Sequence, residues 1–180
     1  MIRTIDIETI AQIFLFNSHV STWDVSSVTD MSRMFKNAEA FNGNIAEWDV
    51  SRVTDMSSMF SGARKFSHGI SKWNVSSVEN MNDMFFSATA FYGDISKWDV
   101  SRVRTMSAMF MGTTSFNGVF LWKWNVARVT DMKGMFRAAV RFNSRLSKWD
   151  VSRVVDMSYM FFGADVFNGD ISRWDVSSVQ

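Results

Sequence analysis

WDVSRVTDMSSMF, residues 48–60, returns in nearly the same letters around Trp23, Trp73, Trp98, Trp124 and Trp149, and a shortened copy at Trp174 closes the chain. The tryptophans are 25 residues apart, with a single interval of 26. The extra residue falls in FNGVFLWKWNV, residues 116–126, which reads as a one-residue bulge containing Trp122. A fixed period of this length is the mark of a repeat architecture, because a unit so short cannot bury its own apolar face and must stack on its neighbours.

Within a unit the apolar spacing changes character. Trp48 and Val50 alternate as in a short strand. Met56, Met59, Phe60 and Ala63 fall at i, i+3, i+4 and i+7, the stripe of a two-turn helix. The residue before the first methionine is Asp30, Asp55, Asn80, Thr105, Asp131 or Asp156, always a helix N-cap type. Asn42-Gly43, Asn117-Gly118 and Asn168-Gly169 then mark turns back to the next strand. The expectation is an α/β fold: a single right-handed leucine-rich-repeat-like solenoid of about seven 25-residue coils, each a short parallel strand plus a short helix. Residues 1–20 read as a degenerate N-terminal capping segment, with Ile10, Ile13 and Phe16 one period before Phe35, Ala38 and Phe41. Residues 21–180 read as the repeat array, which stops after a strand at WDVSSVQ without a C-terminal cap.

Bulk composition narrows the function. Lys and Arg number 19 against 18 Asp and Glu, a net charge of +1, which disfavours nucleic acid and anionic membrane as partners. There is no cysteine, so disulfides and thiolate metal sites are excluded. The N-terminal apolar run IFLF is too short for a signal peptide or a membrane span. Fourteen methionines, twelve of them at the two repeat positions exemplified by Met56 and Met59, suit gap-filling against aromatic rings better than a copper site.

FNGNIAEWDVSRVTDMSSMFSGARKF, residues 41–66, and its copies resemble the BspA-like leucine-rich-repeat surface proteins, in the repeat form of about 25 residues found in mycoplasmas. The resemblance runs from about residue 16 to residue 180. It implies display at the cell surface or secretion, and adhesion or protein binding, with no catalytic residues. With no signal peptide in this stretch, a cytoplasmic location stays open. One departure is plain: the asparagine of the leucine-rich pattern is replaced by Val28, Val53, Val78 and Val103.

Candidate binding residues flank the tryptophans. With Trp and Val pointing inward, the preceding column Thr22, Glu47, Lys72, Lys97, Lys123, Lys148, Arg173 faces out. So does the following column Asp24, Asp49, Asn74, Asp99, Asn125, Asp150, Asp175. The hypothetical binding face is therefore Lys72, Lys97, Lys123 and Lys148 with Asp49, Asp99 and Asp150, its charges paired laterally or diagonally. Phe120 and Trp122 form a candidate contact knob, the alternative being that the bulge tucks into the rim of the core. An aspartate ladder suggests calcium, but the adjacent lysines compete for the carboxylates and no calcium-loop motif is present.

Enzymatic chemistry finds no support. His19 and His68 lack an acid or nucleophile partner in any recognisable spacing, and phosphate-loop, zinc-protease and serine-hydrolase motifs are missing. No cofactor or metal is expected. Partners are expected to be a protein or glycan on another surface, with no nucleic acid and no membrane insertion of this segment. End-to-end self-association through the uncapped coil, as a structural spacer or assembly element, is the alternative role.

Overall fold

A computed structural model describes residues 17, 19–119 and 121–180. Each 25-residue unit is one flat coil, and each coil lies on the one before it. Five single-residue parallel bridges join Asp30 to Asp55, Asp55 to Asn80, Asn80 to Thr105, Thr105 to Asp131, and Asp131 to Asp156.

The coil is a chain of β-turns. In the unit around Trp48, bonds from N–H to the carbonyl three residues back close Ile45–Trp48 (3.2 Å), Val50–Val53 (3.0 Å), Met56–Met59 (3.2 Å), Phe60–Ala63 (3.0 Å) and Ala63–Phe66 (3.0 Å). The buried residue stands at the ends of each turn, so apolar letters recur every three positions. Between turns, alternate N–H groups leave the coil. Met56, Ser58, Phe60 and Gly62 donate to the carbonyls of Asn80, Asn82, Met84 and Phe86 in the next coil at 2.7–3.0 Å. Backbone polarity is thus satisfied half within a coil and half between coils.

Ring columns fill the interior. Phe35, Phe60, Phe85, Phe110, Phe136 and Phe161 stack with centroids 5.6, 5.6, 5.6, 5.7 and 5.8 Å apart. A parallel column runs Phe41, Phe66, Phe91, Phe116, Phe142, Phe167, and within one coil Phe60 and Phe66 are only 4.0 Å apart. Trp48, Trp73, Trp98 and Trp124 stack at 6.5 Å with planes within 3° of parallel. Each indole N–H also reaches back one coil: Trp73 donates to Ile45 O (3.0 Å), Trp98 to Ile70 O (3.1 Å) and Trp149 to Leu121 O (2.9 Å). The ring supplies buried area and the nitrogen satisfies a buried carbonyl, which phenylalanine cannot do.

The α/β solenoid expected from the sequence is overturned. Among the described residues there is no α-helix and no extended strand; Val20–Thr22 and Leu121–Lys123 are single 3-10 turns. Two facts of the backbone exclude the helix. Half of the N–H groups between Met56 and Ala63 are committed to the next coil, whereas a helix needs every one for its own carbonyls. Two positions per coil also have positive φ: Arg33, Ser58, Asp83, Ala108, Gly134 and Tyr159 in one column, and Asn37, Gly62, Ser87, Gly112, Ala138 and Gly163 in the other. Each is the third residue of a turn whose second residue has negative φ, the type II arrangement. An i, i+3, i+4, i+7 stripe arises equally from a helix and from successive turns that share their inward end residues. The leucine-rich-repeat strand likewise shrinks to one bridge per coil.

Residues 1–16 of the expected capping segment, including Ile10, Ile13 and Phe16, lie outside the described residues.

Candidate functional site

The N-cap residues keep their chemistry but cap turns instead of helices. The side-chain oxygen of Asp30 accepts the Ser32 N–H (2.7 Å), that of Asp55 the Ser57 N–H (2.7 Å) and that of Asp131 the Lys133 N–H (2.9 Å). The same two-residue reach occurs beside each of the seven repeat tryptophans, Trp23 to Trp174. Asp49 accepts from Ser51 N–H (3.0 Å), Asp99 from Ser101 N–H (3.0 Å) and Asp150 from Ser152 N–H (3.1 Å), with Asn74 and Asn125 doing likewise. These are Asx-turns, in which a short side chain mimics a backbone carbonyl.

The outward acidic column is therefore anchored to the backbone. Ion pairs among the described residues join neighbouring coils: Lys72 with Glu47 at 2.6 Å within the lysine column, Arg104 with Glu79 at 3.1 Å, Arg64 with Glu39 at 3.6 Å and Lys133 with Asp156 at 3.6 Å. All lie at the surface, so each is worth about 0–1 kcal/mol. The Ser51 and Ser101 side-chain and backbone bonds hold the Asp49 and Asp99 carboxyls below their ordinary range, and Ser152 does the same for Asp150.

Lys72, Lys97, Lys123 and Lys148, one coil apart, and Asp49, Asp99 and Asp150, two coils apart, are all exposed along two adjoining columns. Phe120 lies outside the described residues. Trp122 is 38% exposed, with the ammonium groups of Lys123 and Lys148 at 5.6 and 5.3 Å from its ring centroid. Its place in the coil is regular. Phe91 stacks on Phe116 25 positions later and Phe116 on Phe142 26 later, while Trp149 reaches Leu121 across the usual 28. The extra residue thus falls between Phe116 and Leu121, and Trp122 occupies the position of Ser96 and Ser147. Leu121 is fully buried; Val119 is 49% exposed. Of the two phenylalanines that follow the helix-position phenylalanine, Phe86 is half-buried and Phe162 is exposed against Arg137.

A feature not singled out from the sequence is a row of arginines at the tips of the Val-x-x-Val turns. Arg102, Arg128 and Arg153 line one depression of about 550 Å³ with Ser101, Asn125, Ala127 and Asp150. None of the three makes an ion pair among the described residues. The signal was available as the column Ser27, Arg52, Ser77, Arg102, Arg128, Arg153, Ser178, but it is diluted by serine at three of seven positions. A second depression, about 350 Å³, lies between the last two coils by Asn143, Ser144, Arg145, Asn168 and Asp170. There the buried Ser144 hydroxyl has no hydrogen-bond partner, at a position filled by Gly43, Gly93, Gly118 and Gly169 in other coils.

Among the described residues no group of three histidines and carboxylates is placed to hold a metal ion, and no helix is long and apolar enough to cross a membrane. The family described as Mycoplasma protein of unknown function, DUF285, matches residues 6–122 and again residues 119–180, and the chain belongs to that repeat family. No curated protein and no solved structure matches it.

Proposed function

We propose that the chain is a non-enzymatic binding module, displayed outside the cell in the manner of BspA-like surface proteins, whose Trp-flanking columns engage a protein or glycan on another surface. The observation that carries this reading is the regularity of the exposed side chains. Lys72, Lys97, Lys123 and Lys148 recur one coil apart beside Asn74, Asp99, Asn125 and Asp150, whose positions are fixed by backbone hydrogen bonds. Such an array presents charged groups at defined spacing on a scaffold held by stacked rings, and repeat proteins bind along extended faces of this kind. Pre-ordered side chains lower the entropy lost on binding.

Beads coated with the chain and passed over immobilised extracellular-matrix proteins and glycans test this. Adhesion to at least one surface, lost with Lys97→Glu plus Lys148→Glu at unchanged melting temperature, supports the reading. Adhesion to none, or equal adhesion by the double variant, refutes it.

A further inference from the structure

Net charge near neutral conceals a local imbalance. Around Trp98, Trp124 and Trp149, the lysine column contributes Lys97, Lys123 and Lys148, and the turn-tip column contributes Arg102, Arg128 and Arg153. The acidic column between them in sequence holds only Asp99 and Asp150, because Asn125 stands at the middle coil. Six cations therefore face three carboxylates, these two and Asp94, which feels the charges of Lys97 and Lys123. The Asp99 and Asp150 carboxylates accept from the Ser101 and Ser152 backbone and feel the charges of Arg102 and Arg153, while Arg128 has Asn125 in the matching place. The arginines themselves line one depression and are not consumed in ion pairs among the described residues.

We infer that this depression binds an acidic polysaccharide, its sulfate or carboxylate groups taken in succession by Arg102, Arg128 and Arg153. The inference rests on the binding-face reading above and names its ligand class. Guanidinium forks recognise planar or tetrahedral anions through paired N–H donors. One arginine per coil recurs along the depression, which suits an extended chain carrying an anion on successive residues. The other lining groups separate a polysaccharide from nucleic acid. The Ser101 hydroxyl, Asn125 amide and Asp150 carboxylate supply the mixed donors and acceptors that sugar hydroxyls need. The lining also contains no aromatic ring, and single-stranded nucleic acid is held largely by base stacking on such rings.

The substitution that tests this is supplied by the repeat itself. Ser27, Ser77 and Ser178 occupy the same column, so Arg102→Ser with Arg128→Ser and Arg153→Ser conserves the turn. Heparin oligosaccharide is the probe, followed by calorimetry at physiological salt, with Arg64→Ser as a control that removes an exposed arginine from another column. Expected are saturable binding by the wild type, weakening with salt, at least tenfold loss in the triple variant, less than twofold change in Arg64→Ser, and unchanged melting temperatures. No heparin binding, equal binding by the triple variant, or tighter binding of a single-stranded DNA of matched charge would overturn the inference. Wild-type beads that adhere to matrix proteins but to no acidic polysaccharide refute the ligand class and leave the binding face standing; beads that adhere to nothing sink both.

Discussion

Replacing Ala108 and Ala138 by glycine separates a coil of turns from a helix by the sign of one measurement. Both alanines are half-buried and have positive φ, 51° and 55°. A Cβ in the left-handed region costs about 1–2 kcal/mol. Against that relief, glycine gives up about 0.4–1 kcal/mol through greater freedom in the unfolded chain. Loss of a half-buried methyl removes roughly another 0.4 kcal/mol. The balance is a gain of about 0.5 kcal/mol per site, or ~1 kcal/mol for the pair. In a helix interior the same two changes would cost ~2 kcal/mol. Urea denaturation followed by circular dichroism resolves that difference, and the melting temperature should rise by about 2–4 °C. Gly112→Ala runs the experiment backwards: φ is +69° and the new Cβ would lie 3.2 Å from Ser87 Oγ, so stability should fall. A destabilised Ala108→Gly, Ala138→Gly double variant would refute the turn architecture of residues 107–112 and 133–138.

Four further outcomes are expected. Trp98→Phe keeps a stacked ring but leaves the Ile70 carbonyl without its 3.1 Å partner, costing about 1–3 kcal/mol in a urea titration. Gly118→Ala, where the added Cβ would meet the Phe142 ring at 2.3 Å at φ +70°, should destabilise by more than about 2 kcal/mol, while Gly69→Ala, with nothing within 4 Å, should be nearly silent. Ser144→Ala removes a buried hydroxyl that has no partner and should raise the urea midpoint, by about 1 kcal/mol equivalent. In acid, hydrogen bonds from Ser51, Ser101 and Ser152 hold Asp49, Asp99 and Asp150 below the ordinary carboxylate value of 3.8. Their contribution is present above that value and disappears as pH falls through the lower folded values, so the melting temperature should be flat above about pH 5 and decline below about pH 4. Burial pushes Asp83 the other way and partly offsets the decline. Asp99→Asn, which keeps the turn as Asn74 does, should make it shallower.

The 25-residue period was legible because a stacked core needs like residues above one another. Trp48, Trp73 and Trp98 each need an indole, for the ring below and for the carbonyl of the preceding coil. The secondary structure was misread because Met56, Met59, Phe60 and Ala63 satisfy two geometries. The disambiguating sign was the column Asn37, Gly62, Ser87, Gly112, Ala138, Gly163: three glycines at one phase inside a presumed helix mark a backbone position, not a packing one. Asp30, Asp55, Asn80, Asp131 and Asp156, read as helix N-caps, do accept N–H groups, two residues on, but that bond caps a turn here; at Thr105 the Ser107 N–H goes to Asn82 instead. At the candidate site, outward Lys97 and Asp99 followed from alternation with Trp98. The arginine depression did not stand out, because serine interrupts its column at Ser27, Ser77 and Ser178 and because the absence of ion pairs has no sequence period.

Four indole planes spaced 6.5 Å apart and nearly parallel, from Trp48 to Trp124, also have an optical consequence. Transition dipoles at that separation exchange excitation far faster than any one ring emits, so a photon absorbed at Trp48 is shared with its neighbours before it is returned. Because the planes are nearly parallel, the exchange should leave the polarisation of the emission largely intact in a frozen glass, while a quencher beside one ring should dim several. The scaffold thereby carries its own gauge of continuity: where a rung opens, the transfer of light along the column stops.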